Sequence, residues 1–300
     1  REMNDRPQQP VTGPSAWTSA ELAADDGWIY LLTDAEIKEI EAALEAVLEK
    51  GLKAFEFGRE DFPLPSLAER FDAVTYQVED GRGCALIRGL DARRYDADTL
   101  KTLYWGLGVH LGVPVSQNAR GQLIAHVRDR GRDYYSHEVR GYTTNARIAL
   151  HCDPADTVAL LCAHPAKEGG ESEIASAISV YNELLGTHPE FLETLLKGFY
   201  FDLRGEGATD DPDEVTHHRV LVFSYFDARL SCRFNGKSII EGQIKAGQPL
   251  EGLSLKAVEA VGELASSDGL RYDLAFRMGD IQILNNHTIL HARGGFEDCP

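Results

Sequence analysis

Residues 146–162 read Ala146-Arg147-Ile148-Ala149-Leu150-His151-Cys152-Asp153-Pro154-Ala155-Asp156-Thr157-Val158-Ala159-Leu160-Leu161-Cys162. Two short runs, 146–150 and 158–162, flank a polar turn holding a histidine, a cysteine and two aspartates. Apolar runs this short, next to turn residues, read as buried strands. The same texture recurs at 84–88, 123–127, 173–176, 199–203, 220–225, 230–234, 274–277 and 281–284. Many short strands at such spacing predict a sandwich or jelly roll.

Helical signals surround this β-rich stretch. Thr33-Asp34-Ala35-Glu36 has the form of a capping box, and Ile37, Ile40, Leu44, Val47 and Leu48 then follow helical spacing to about Lys50. Further helices are predicted at 66–74, from Asp96 to before Gly112, at 178–196 and at 254–267. The polar stretch 205–213 reads as a surface loop. The expected class is α+β, mainly β: a jelly-roll core with flanking N-terminal and inserted helices. Residues 1–15 are predicted to be a flexible arm and 16–300 a single domain. A helical layer at about 16–112 would precede a core at about 113–300.

Composition narrows the function classes. The 300 residues are 43% hydrophobic and 26% charged, which suits a globular chain and excludes a collagen-like or wholly disordered one. Thirty basic residues against 48 acidic ones give a net charge of −18, which argues against nucleic acid as a partner. No apolar run is long enough to span a bilayer, and no membrane partner is expected. Five cysteines without a C-x-x-C spacing argue against a disulfide framework and point to a reducing, cytoplasmic setting. A small-molecule substrate is expected, and a homo-oligomer is compatible with the sequence. There is no G-x-S-x-G elbow, Walker A loop or G-x-G-x-x-G.

His151-Cys152-Asp153 is the first chemical candidate. On a strand, residues i and i+2 point to one face, so an imidazole and a carboxylate converge. Two histidines and one carboxylate on one face of a metal leave the other face open, the arrangement of a non-haem Fe(II) oxygenase. The spacing alone carries little. Ten histidines at the chain's own acidic frequency give about 1.6 such pairs by chance, and the chain has two. The second, His188-Pro189-Glu190, sits where a helix begins and reads as structural. Cys152, between the two polar residues, should point the other way into the core. Trp17, Trp28 and Trp105 read as packing residues. A third metal ligand would come from His287 or His291, four residues apart.

Downstream stand Gly169-Gly170-Glu171-Ser172 and then Met278-Gly279-Asp280-Ile281-Gln282-Ile283-Leu284-Asn285-Asn286-His287-Thr288-Ile289-Leu290-His291-Ala292-Arg293. Together with His151-x-Asp153, this ordered set resembles the TauD/TfdA family, the taurine dioxygenase-like Fe(II)/2-oxoglutarate oxygenases. The resemblance runs from about Cys84 to the last residue. It implies a double-stranded β-helix core, with His151, Asp153 and His291 as both the catalytic set and the metal ligands. His287 would then line the pocket. Ser172 matches the position whose hydroxyl contacts the cosubstrate 2-oxoglutarate. Fe(II), 2-oxoglutarate and O2 would be the cofactors. The implied reaction is decarboxylation of 2-oxoglutarate to succinate with oxidation of a substrate C–H bond. Related halogenases lack the carboxylate, so Asp153 favours hydroxylation, desaturation or ring formation. The alternative class is a non-catalytic metal- or ligand-binding jelly roll.

The sequence departs from the family at one point. A buried distal carboxylate needs a charged partner, and the family's arginine lies roughly ten to twenty residues past the distal histidine. The chain stops at Pro300, nine residues past His291. The expectation is that the last core strand and its arginine lie beyond Pro300. Arg293, two residues past His291, is expected beside the metal. The segment 132–145, rich in aromatic and arginine side chains, is a candidate lid, and Gln117, Asn118 and His126 are further pocket candidates. Asn285 and Asn286 would either face the pocket or cap a turn.

Overall fold

The computed structural model describes residues 6–118, 120–127, 148–209 and 211–297. Its centre is a pair of four-stranded sheets. The first has the order β1 (Ile29–Leu31), β2 (Cys84–Arg88), β10 (Ile281–Asn285), β4 (Thr157–Leu161). β1 runs parallel to β2, and the other pairs are antiparallel. The second has the order β3 (Ile148–His151), β11 (Ile289–Arg293), β6 (Ser172–Ser176), β9 (Arg271–Leu274), antiparallel throughout. Among the described residues two small ribbons hold the remaining strands: β5 (Glu168–Gly169) with β12 (Phe296–Glu297), and β7 (Phe223–Phe226) with β8 (Arg229–Cys232). The architecture is thus mixed helix and sheet, with mostly antiparallel pairing.

Side-chain alternation assigns each face of the sheets. On β2 and β10, Ala85, Ile87, Ile281 and Ile283 face one cluster, while Cys84, Leu86 and Leu284 face another. The first cluster is filled by α2 (Asp34–Glu49), α3 (Ala68–Glu79) and α4 (Ala97–Leu111) through Ile40, Leu44, Val74 and Leu103. The second lies between the sheets, where Leu86 and Leu284 meet Ile174, Leu274 and Ile289. The outer face of the second sheet offers Leu150, Ala175, Leu290 and Ala292 to α5 (Ala177–Thr187), α6 (Pro189–Lys197) and α8 (Gly252–Ala265). The order is helices, sheet, sheet, helices. Both sheets therefore present one face to a shared interior, and the chemical residues point there.

Local signals explain the helix starts. Thr33 accepts from the Glu36 amide while Glu36 returns a bond to Thr33, the capping box read in the sequence. A second box, Thr18 with Glu21, opens α1 (Ser19–Ala23). The stretch read as one helix at 178–196 is two, because Pro189 lacks the N–H needed inside a helix and starts α6 instead. His188, at that junction, faces Glu190 at 3.1 Å on the surface.

Several expected elements differ. Residues 123–127 form no strand. The run 199–203 makes only isolated bridges, Phe199 to Val220 and Asp202 to Val215. The strand expected at 274–277 lies earlier, at β9, because pairing with β6 fixes its register. The helix α7 (Gly236–Lys245) was not foreseen, since its glycines hid a helix capped by Asn235. Residues 6–15, read as part of a loose arm, lie against α5. The Asn182 side chain exchanges two 2.8 Å bonds with the Val11 backbone, and the Tyr181 hydroxyl donates to the Pro7 carbonyl at 3.0 Å. The three tryptophans pack as expected: Trp17 and Trp28 are fully buried, and the Trp105 indole donates to the Phe57 carbonyl. Among the described residues no helix is long and apolar enough to cross a membrane.

Candidate metal centre

β3 ends at His151 and β11 carries His291, and these two residues are register partners. Leu150 and Cys152 belong to the outer core cluster, so His151 and Asp153 take the opposite face. The imidazole rings sit 4.6 Å apart, centroid to centroid. The Asp153 carboxylate lies between them, 3.6 Å from Nε2 of His151 and 3.3 Å from Nε2 of His291. The ligand atoms of the three side chains all fall within 4.8 Å of one another. Among the described residues this is the one His/Cys/Asp/Glu group of three with that spacing. Exposure is graded: the His291 side chain is 9% exposed, His151 17% and Asp153 40%. The cluster thus opens to one side through the carboxylate.

Neighbouring groups fix the orientation of each member. His151 Nδ1 lies 2.8 Å from the Ala149 carbonyl, which places its proton there and leaves the Nε2 lone pair facing Asp153. The Asp153 backbone is held from both sides. Its N–H donates to Asn286 Oδ1 at 3.0 Å, and its carbonyl accepts from the Arg233 guanidinium. Asn286 also donates its own N–H to the Asp156 carbonyl at 2.9 Å, so one residue clamps the whole turn after β3.

The electrostatics follow from burial and proximity. Burial alone would push the Asp153 carboxyl up, but the two histidines hold it well below the ordinary carboxylate range. Burial works against a proton on His151, yet Asp153 overcomes it and the pKa is raised. For His291 burial wins, with His151 adding to it, and the pKa is lowered. The result is an anionic oxygen between two imidazoles, a donor set that fits a divalent iron.

The other candidates divide. Ser172 is buried on the inner face of β6, and its hydroxyl donates to Gln282 Oε1 on β10 at 2.6 Å. That bond ties one sheet to the other. Arg293, two residues past His291 on β11, lies level with Ser172 on β6. His287 is not in the cluster: its Nε2 faces Asp156 at 2.9 Å. Asn285 caps the turn, accepting from the His287 amide at 2.8 Å, while Asn286 reaches the Asp153 loop. Gln117 and Asn118 sit in a turn closed by a 2.6 Å bond from the Gln117 amide to the Gln122 carbonyl. The candidate lid at 132–145 lies outside the described residues. Sequence reasoning missed Arg233, which no motif flags. It also missed the ion pair of Arg88 with the fully buried Asp280, at 2.8 and 2.6 Å.

Residues 48–300 match the model of the family described as Taurine catabolism dioxygenase TauD, TfdA family. The chain belongs to the TauD/TfdA family. It is accordingly an iron- and 2-oxoglutarate-dependent oxygenase by membership. A relative from Streptomyces rubellomurinus, FR-33289 synthase, is 32% identical over 293 residues, covering 97% of this chain and 86% of that protein. The taurine hydroxylase-like protein SAT17 of Stachybotrys chartarum is 28% identical, over 94% of this chain and 74% of its own. Among solved structures, an asparagine oxygenase complex with Fe(II), 3-hydroxyasparagine and succinate superposes with a TM-score of 0.70 at 13% identity, covering 91% and 89% of the two chains. The non-heme iron oxygenase OrfP with Fe and alpha-ketoglutaric acid gives 0.60 at 15% identity, covering 90% and 89%. At these identities the two structures bear on the fold alone.

Proposed function

We propose that His151, Asp153 and His291 hold Fe(II), and that Ser172 contacts 2-oxoglutarate. The reaction is oxidation of a C–H bond of a small polar substrate by hydroxylation, desaturation or cyclisation. The single observation that carries this reading is the convergence of the three ligand atoms within 4.8 Å, from a β3 end and a β11 strand distant in sequence. The two sheets form one double-stranded β-helix, a jelly roll with helices on both outer faces. Residues 16–300 act as one oxygenase domain.

Iron bound there supplies the redox chemistry, coupling decarboxylation of the 2-oxo acid to activation of O2. The chain's own residues set the geometry. The two imidazoles and the carboxylate would hold the ion, a ligand set that would leave coordination positions for a 2-oxo acid and O2. Ala149 orients His151, while Asn286 and Arg233 fix the Asp153 backbone. Ile174, Leu284 and Ile289 pack between the two sheets, so the inner side of the cluster is backed by apolar side chains. Solved neighbours bind a hydroxyasparagine or a hydroxyarginine, which suits a small polar substrate here as well. The four cysteines among the described residues are buried free thiols, which suits a reducing cytoplasm.

The test is anaerobic addition of Fe(II) and then 2-oxoglutarate. The bidentate complex should give a weak visible charge-transfer band, and admitting O2 should release succinate. Asp153→Ala should abolish both. A wild-type protein that binds Fe(II) without ever giving the band would instead favour a metal-binding jelly roll without turnover.

A further inference from the structure

Gln282 stands out in the shared interior. It is fully buried on β10, and its register partners are Leu86 on β2 and Leu160 on β4. Neither neighbour offers the amide a partner. Its Oε1 accepts from Ser172, but its Nε2 has no hydrogen-bond partner among the described residues. A buried donor left unmade is costly, and such a group calls for an explanation in its surroundings. The amide is aimed at the second sheet, where Ser172 lies level with Arg293. Arg293 is two residues beyond His291 on β11, on the same face. That step is about 6.6 Å along a strand. The donors of Gln282 and Ser172 therefore stand one side-chain pair away from the metal cluster, and Arg293 adds positive charge at the same level.

We propose that Gln282 is a cosubstrate-binding residue: its Nε2 donates to the distal carboxylate of the 2-oxo acid, while its Oε1 stays on the Ser172 hydroxyl. The inference rests on the reading of His151, Asp153 and His291 as iron ligands. The carboxylate would accept from a group that the described residues leave unpaired, so ligand binding would satisfy it. The Ser172 hydroxyl gives its one hydrogen to Oε1, and that bond holds the amide in place with its N–H groups free to turn toward the ligand.

The test compares two acids on the Fe(II)-loaded, full-length protein without O2. One is 2-oxoglutarate. The other is 2-oxobutyrate, which chelates through the same end and lacks the distal carboxylate. Affinities are read from the charge-transfer band and by calorimetry, beside metal-free thermal melts. Gln282→Met, near in shape but without a donor, should weaken 2-oxoglutarate on the order of 10- to 100-fold and leave 2-oxobutyrate unchanged. Gln282→Glu keeps an acceptor for Ser172 and sets a negative charge against the carboxylate, so it should weaken 2-oxoglutarate at least as much. Equal losses for both acids, or no loss in a folded variant, would overturn the proposal. Should Gln282→Met fail to fold, unchanged 2-oxoglutarate affinity in Gln282→Glu overturns it alone. If the wild type binds neither Fe(II) nor either acid, the iron-site reading itself fails, an outcome distinct from failure at Gln282.

Discussion

His151 and His291 face each other as register partners across β3 and β11, with ring centroids 4.6 Å apart. The backbone ladder thus aligns the imidazoles before any metal arrives. Asp153, just past the end of β3, is the less constrained member, and its backbone is secured by Asn286 and Arg233.

Asp153 is the only anion of the cluster. Asp153→Ala should weaken Fe(II) binding by roughly 100-fold or more, beyond the usual effect of losing a supporting group. It should also drop the His151 pKa in the metal-free protein. Burial, the largest influence on that imidazole, would then act without the carboxylate that outweighs it. NMR titration of the ring protons reads this directly.

Asn286→Ala removes the acceptor for the Asp153 amide while leaving all three ligands in place. Iron affinity should fall about 10- to 100-fold, as measured by competition with a chelator. The 2-oxoglutarate affinity of protein saturated with iron should change much less, which separates positioning of Asp153 from a general loss of fold.

Iron binding should weaken as the pH falls. The raised pKa of His151 means that a proton competes for its nitrogen from the alkaline side of 6.5, the ordinary value. Each proton that must leave costs up to about tenfold in apparent affinity per pH unit below that pKa. Asp153, held low, adds nothing until strongly acidic conditions. Fe(II) titrations between mildly acidic and mildly alkaline buffers should show this slope, and a flat profile would contradict the assignment of His151.

Glu36 links the cap of α2 to Arg70 on α3, at 2.5 and 3.1 Å. Burial opposes its ionisation, but Arg70 and Thr33 together hold its carboxyl below the ordinary 4.5. A lowered carboxylate contributes stability that is present above 4.5 and is lost as the pH drops through the folded-state value. Glu36→Gln should therefore cost about 1–2 kcal/mol near neutrality, and the gap to wild type should close in acid. Denaturant melts at several pH values test both parts.

Gly279 adopts a φ of +87°, and a Cβ there would overlap the Leu90 carbonyl oxygen. Gly279→Ala should destabilise the chain by more than about 2 kcal/mol. It would also disturb Asp280, whose carboxylate accepts both Arg88 and the Arg277 amide. A large fall in melting temperature, with or without metal, is expected.

Much of the β content, the capping box at Thr33 and the inward direction of His151 and Asp153 follow from local pattern, because strand alternation and cap chemistry act within a few residues. The sequence motifs also sufficed for the family, and they named the three side chains that the fold brings together. Tertiary structure decided what depends on register between distant strands. It paired His291 with His151 and left His287 facing Asp156, and it set Arg293 level with Ser172. It gave Asn286 and Arg233 their hold on Asp153, and it left the Gln282 Nε2 beside leucines without a partner among the described residues. Register fixes which residues meet across a sheet, and no short stretch of this chain encodes it. Only the packing of two whole sheets against their helices does.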